Sequence, residues 1–432
     1  MEYLIVAAAV VALVFLVNAN LDSAAARRVL PILLVAFVTR LVIHVLVLRA
    51  GVIDYGGDNL GYEARAMEIV SYWKLNGFQF VTADELSFLS SVAVPCNVFA
   101  LVIYLCDGPA PLACTAVVAL VACAMCVVVY KFARLIGADA RAAFRVLVVS
   151  AFMPAFLLHT SDTYKDGFNA FLVVACVGIG ASLARRFRTS RLLQAGPLLW
   201  CLWHVRPYMV FISAIPLIFG VVASKSTFSL RKLLAVSGLL TAAMMIVIGV
   251  LDDTPLEQLQ RQLDRGQSET VLRANAHASS GVLFEDGGDP WNDLGLKLIY
   301  TVLAPFPWTE GSITLQLGKL DVLIWYVLLY AAARGAGRLW RQDRRTLLVL
   351  LLFIVPGTIA YATTMANIGL IFRQRIPIVV VTSLLAAVAW SRIPRDSSPA
   401  SSREEGAPPS TPEPAPDPEP APGREPRDPA RS

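Results

Sequence analysis

Asp58, Asp166, Arg206 and Arg373 stand out as residues that could do chemistry, because each sets a charge beside or within an apolar run. Asp58 lies in Asp54-Tyr55-Gly56-Gly57-Asp58-Asn59-Leu60-Gly61-Tyr62-Glu63. The glycines make a turn, and Asp58 or Asn59 is a natural cap for the helix that follows. At a helix N-terminus the dipole keeps a carboxylate ionised, and such a group can act as a general base on an acceptor hydroxyl. Capping alone is the competing role. A second acidic cluster, Ser161-Asp162-Thr163-Tyr164-Lys165-Asp166, flanks one lysine with two carboxylates. It could hold an acceptor or, with Asp58 and Asp166 as ligands, a divalent cation. The competing reading is a plain helix connection with Lys165 snorkelling.

Arg206 interrupts the apolar stretch 192–223 within His204-Val205-Arg206-Pro207. A guanidinium there suits a phosphate headgroup, which it can grip with two donors. Arg373 and Arg375 sit inside the apolar run 368–390 and demand an anionic partner, either a ligand or a protein carboxylate such as Asp162 or Asp166. Glu285, Asp286, Asp289 and Asp293 lack the spacing of a calcium loop. Pro305-Phe306-Pro307-Trp308 reads as an interfacial anchor. The four histidines show no metal-binding spacing, and the seven cysteines, Cys123 and Cys126 included, read as small core residues rather than a disulfide framework.

The elements that must position these groups are membrane helices. Of 432 residues, 56% are hydrophobic and 16% charged, with a mean hydropathy of +0.61. No water-soluble fold hides that much apolar surface. The expectation is all-α: a polytopic transmembrane bundle of about 11 spans with two long extracytoplasmic loops that carry surface-lying helices. Expected crossings are 3–17, 30–49, 112–130, 146–160, 167–184, two short helices within 192–223, then 233–251, 317–333, 346–363 and 368–390. Arginine and lysine clusters between the runs put those connections in the cytoplasm and the N-terminus outside, in a plasma membrane. The net charge of +5 follows from these clusters, and nucleic acid is not an expected partner.

The organisation expected is an extra N-terminal helix and turn (1–29), a module over 30–223 with its outer loop at 50–111, and a C-terminal membrane region (224–390) with its outer loop at 252–316. A Pro-rich tail, 391–432, is expected to be disordered and cytoplasmic. The 16 apolar residues 91–106 read as a re-entrant or surface-lying helix, since a crossing there would reverse every later basic loop. Long outer loops over short inner ones point to a reaction on the outer face, where lipid-linked rather than nucleotide-linked substrates are found.

The order of these features resembles the GT-C superfamily of polytopic glycosyltransferases, which includes protein O-mannosyltransferases and lipid A aminoarabinose transferases. The residues that carry the resemblance are Asp58…Tyr62, then Pro95-Cys96-Asn97…Gly108, then Lys131-Phe132-Ala133-Arg134-Leu135-Ile136-Gly137, Pro154 and Lys165-Asp166. It covers roughly residues 30–220 and, more loosely, the helix with Arg373 and Arg375. It implies Asp58 as catalytic base and Asp166 as its partner, with Arg206 near a lipid phosphate. Tyr62, Asp162, Lys165, Tyr208, Arg373 and Arg375 complete the expected substrate-binding set. The implied donor is a sugar on a polyprenyl-phosphate lipid, and the implied acceptor is a glycan, lipid or protein. This chain departs from many members in having Asp58-Asn59 where they have Asp-Glu, in its extra N-terminal helix and in having no soluble C-terminal domain. A weaker similarity extends to O-antigen-type polysaccharide polymerases, which act on polyprenyl-diphosphate-linked repeat units. A lipid or glycan transporter is the expectation from another class, but internal repeats and midplane charges are not apparent.

Overall fold

A computed structural model describes residues 1–52, 57–224, 291–310, 313–364 and 367–392, with isolated positions at 268, 281, 282, 284 and 289. Every regular element among them is a helix, and Gly281 with Asn367 adds one isolated β-bridge. In chain order the helices are α1 (Glu2–Asn20), α2 (Ser23–Ile43, continued by a π-helical turn His44–Leu48), α3 (Asp58–Asn76), α4 (Ala93–Cys106), α5 (Pro111–Leu135), α6 (Ala140–Phe152), α7 (Pro154–Leu158), α8 (Asp166–Arg185), α9 (Thr189–Trp203), α10 (Pro207–Val222), α11 (Leu294–Leu303), α12 (Ile313–Gln342), α13 (Arg344–Thr363), α14 (Ile368–Gln374) and α15 (Ile376–Trp390).

Local sequence accounts for many of the boundaries. Asp22, Asp139 and Asp343 cap α2, α6 and α13 by accepting from a first-turn amide. Pro111, Pro154, Pro207 and Pro377 fall in the first turn of their helices, where a missing N–H is not needed. Gly137, in the left-handed region at φ 102°, follows α5.

Six helices are long and apolar enough to cross a membrane: Glu2–Asn20, Ser23–Leu48, Pro111–Leu135, Asp166–Arg185, Gly318–Gln342 and Arg344–Thr363. The pair α14 and α15, bent by 56° at Arg375, makes a seventh if it counts as one span. The chain is therefore a membrane protein, and its regular elements among the described residues are all helices. The expected crossing 146–160 differs: Pro154 divides it into α6 and α7, of 13 and 5 residues. The stretch 192–223 is two short helices, α9 and α10, parted at His204–Arg206 as its proline implied. The 14 residues of α4 span about 21 Å, well short of a hydrocarbon core of about 30 Å. Residues 233–251, most of 252–316 and the tail beyond Arg392 lie outside the described residues.

The helix α8 is the central strut, packed against α5, α9, α10, α13 and α15. Its approach to α10 is backbone to backbone, since a Cβ on Gly220 would collide with the Gly180 carbonyl. At the C-terminal end of α8, Arg185 pairs with Asp343 at 2.9 Å and donates to the Leu135 carbonyl. Arg345 donates to the Ala223 carbonyl there, and Arg338 donates to the carbonyl of Ala389. The basic clusters thus gather at one end of the bundle. Asp166 stands at the other end of α8, 20 residues or about 30 Å away.

Candidate functional site

Three backbone breaks bring the charges together. Gly57, with φ 72°, turns the chain into α3 and leaves Asp58 in the first turn. The Asp58 side chain does not cap that helix: its Oδ2 accepts from Arg373 Nη1 at 2.6 Å. Arg206 is held in extended backbone between α9 and α10, where Pro207 prevents a continuous helix. Arg373 ends the short α14, which Asn367 caps by accepting from the Leu370 amide.

Asp166 is the junction. It is 2% exposed, and its two oxygens take different guanidinium groups, Oδ1 from Arg206 Nη2 at 3.0 Å and Oδ2 from Arg373 Nε at 2.5 Å. Arg206 also donates to the Tyr208 hydroxyl at 3.0 Å, and Arg373 lies over the Tyr164 ring at 4.9 Å. Arg373 therefore bridges the two carboxylates expected to work together. A desolvated pair of this kind is stable only when both partners are fully hydrogen-bonded, and removing one member leaves a buried charge.

Beside this junction lies a cavity of about 380 Å³ whose wall includes Asp58, Tyr62, Ser90, Ser91, Lys165, Arg206, Tyr208, Arg373 and Gln374. Lys165 is half-buried there and donates to the Ser91 carbonyl at 3.1 Å. Burial, and then the nearby positive charge of Arg206, push its ammonium down to about 7, against the pull of Asp166. Burial also raises Tyr62 to about 12, so it is a neutral donor at the wall. Three basic side chains thus line the space with one carboxylate, Asp58, while Asp166 pairs with two of them from outside the lining. Asp58, 52% exposed, is the accessible carboxylate of the pair.

Asp58 and Asp166, the ligands expected if a divalent cation is used, both face Arg373 in the structure. Both Asp166 oxygens are spent on arginines, the Arg373 guanidinium occupies the position between Asp58 and Asp166, and no group of three His, Cys, Asp or Glu side chains occurs among the described residues.

Two expected substrate ligands sit elsewhere. Asp162 is fully buried in a separate network, accepting from Arg49 Nη2, Asn59 Nδ2 and its neighbour Thr163 N, each at 2.8 Å, with His44 Nδ1 at 3.4 Å. Burial alone would raise its carboxyl, but hydrogen bonds from His44 and Arg49 outweigh that and hold it near 2. Arg49 also pairs with Glu63, which accepts from Thr163 Oγ1 at 2.9 Å. This network clamps α3 to the 161–165 connection. Arg375 is buried at the α14–α15 bend and donates to the carbonyls of Thr301, Val302 and Ala304 that end α11.

Of the second acidic loop, Glu285 and Asp286 lie outside the described residues, and Asp289 accepts from the Trp291 amide at 2.9 Å. Phe306 stacks on the exposed Trp308. Sequence reading passed over Arg49 and His44, although an arginine at the end of an apolar run opposite the basic clusters was the available signal. Comparison with protein-family models, with curated proteins and with solved structures finds no match to this chain.

Proposed function

We propose that the chain is a membrane glycosyltransferase of the GT-C type that moves a sugar from a polyprenyl-phosphate donor to a cell-envelope glycan, lipid or protein. The observation that carries this reading is the convergence of Asp58, Lys165, Arg206 and Arg373 on one cavity, with Asp166 pairing both arginines beside it. Arg206, Arg373 and Lys165 supply donors for a phosphate, and a hydroxyl beside Asp58 has a carboxylate to take its proton. Attack of the acceptor oxygen on the anomeric carbon forms one C–O bond while the bond to the phosphate oxygen breaks. The electron pair leaves on the phosphate and the proton passes to Asp58. A bound phosphate competes with Asp58 for Arg373, which loosens the Asp58 ion pair as the donor arrives.

The cavity lies at the end of α8 opposite the basic clusters, which supports an extracytoplasmic site under the positive-inside rule. In this reading the protein makes eleven crossings of the plasma membrane, with α3 and α4 belonging to its first outer loop.

Asp58→Asn keeps the size of the side chain and removes the base. Reconstituted vesicles given a radiolabelled polyprenyl-phosphate sugar should lose transfer by about 10²–10⁴-fold, with insertion and melting unchanged. Wild-type transfer by that variant removes Asp58 from the mechanism.

A further inference from the structure

Two buried charged residues outside the cavity share an unusual task. Pro154 has no N–H, and its ring excludes helical backbone at Met153, which is extended at φ −60° and ψ 123°. In an unbroken helix the Ala155 N–H would donate to the Ala151 carbonyl. Here each of those groups goes to a side chain from a different part of the chain. Arg40 of α2 donates from Nη2 to the Ala151 carbonyl at 3.1 Å, and Asp321 of α12 accepts from the Ala155 N–H through Oδ1 at 2.8 Å. Arg40 is 0% exposed and Asp321 is 1% exposed. The match is chemical: a guanidinium has only donors and takes the orphaned acceptor, while a carboxylate has only acceptors and takes the orphaned donor.

The clamp reaches toward the cavity. Arg40 Nε donates to Thr160 Oγ1 at 2.8 Å, and Thr160 Oγ1 donates to the Phe156 carbonyl at 2.6 Å. Thr160 in turn packs on the first turn of α8, where a Cβ at Gly167 would stand 3.1 Å from its methyl group. One guanidinium therefore holds both the end of α6 and the start of the connection that carries Lys165 and Asp166. Asp321 lines one small internal cavity together with Arg375, the bend residue two positions beyond Arg373. A charge within a bilayer-spanning helix is costly unless it is fully engaged, and a break satisfied by water or a serine would not need two of them.

We propose that Arg40 and Asp321 are positioning residues that hold the α6–α7 break open from its two sides and so set Asp166 and Lys165 against Arg373. This rests on the glycosyltransferase reading of the cavity for its catalytic consequence, but not for its structural one. The test is hydrogen exchange and sugar transfer on the full chain in nanodiscs. Arg40→Met and Asp321→Leu should each speed exchange over 151–166 by about tenfold or more, leaving α5 and α9 at wild-type rates. Transfer kcat should fall in both variants. Asp321→Asn keeps an acceptor for Ala155 and should restore both readouts, and Arg40→Lys should restore them in part.

A third variant is independent of fold stability. Pro154→Ala in the Arg40→Met, Asp321→Leu background lets the backbone bond re-form, so the protein should stay folded and still transfer poorly. Unchanged exchange at 151–166, or a uniform rise along the whole chain, overturns the clamp. Raised exchange with wild-type kcat, or an active triple variant, overturns the positioning role while the glycosyltransferase reading stands. Absence of transfer by the wild-type protein sinks that reading, and the exchange map still decides the clamp.

Discussion

Lys165 illustrates how a single side chain here depends on its surroundings. Its ammonium faces two arginines and two carboxylates, and burial brings its titration to about 7 from an ordinary 10.5. The sign for stability follows directly. Below about 7 the folded protein carries a charge it would rather not bury, and from there to about 10.5 the unfolded chain binds more protons, so stability rises with pH. Ligand binding runs the other way. An entering phosphate favours the charged amine, so affinity for an anionic lipid should fall as the pH rises through about 7. Calorimetry with a short-chain polyprenyl phosphate should show proton uptake on binding, and about tenfold weaker binding at high pH. Lys165→Met should bind weakly at every pH. A pH-dependent Lys165→Met protein would assign the titration to another group.

Among the elements, α3 is the one whose placement rests on a compact set of contacts. Its inner face, Tyr62, Ala66, Ile69, Val70 and Trp73, is buried, while Leu60 and Met67 on the opposite side are 57% and 42% exposed. Leu60, Ala64 and Met67, spaced to share one face, are all exposed on that opposite side. Its start is fixed by Asn59, Glu63 and Arg49 around Asp162. Asp162→Asn retains the shape and removes the charge, and should loosen the start of α3 by about 1–3 kcal/mol. Exchange protection of residues 58–66 would report that, with α8 unchanged. A second check is acid: the latch is present above about 4 and is lost as the pH falls through about 2, because folding holds the Asp162 carboxyl below its ordinary 3.8. Protection in α3 that is insensitive to both changes would show that its apolar face alone suffices.

For the molecule as a whole, the decisive property is polarity of the bundle, with charged chemistry at one end and basic anchors at the other. Ser90 is exposed at the cavity and Ser190 is exposed beyond the C-terminal end of α8. In a background lacking the seven cysteines, Ser90→Cys should react with a membrane-impermeant maleimide from outside intact cells. Ser190→Cys should react only after the membrane is opened. Labelling of both from one side would reject the proposed orientation, and with it the lipid-linked donor.

Membrane residence and the all-helical class were legible in the sequence, because a bilayer requires backbone groups to be satisfied within each segment and that requirement is written in run length and composition. The charge cluster at the cavity was also legible in part: Asp58, Arg206 and Arg373 on its wall and Asp166 beside them are charges in apolar surroundings, and each meets at least one of the others. Which acid each arginine takes was not. Asp162 and Asp166 are four residues apart with the same chemistry, yet one belongs to Arg49 and the other to Arg206 and Arg373. Arg373 and Arg375 are two apart, and one reaches the cavity while the other closes α11. Such choices depend on helix rotation and on where prolines break the ladder. Those features are set by packing between segments up to hundreds of residues apart, so no local pattern of side chains encodes them.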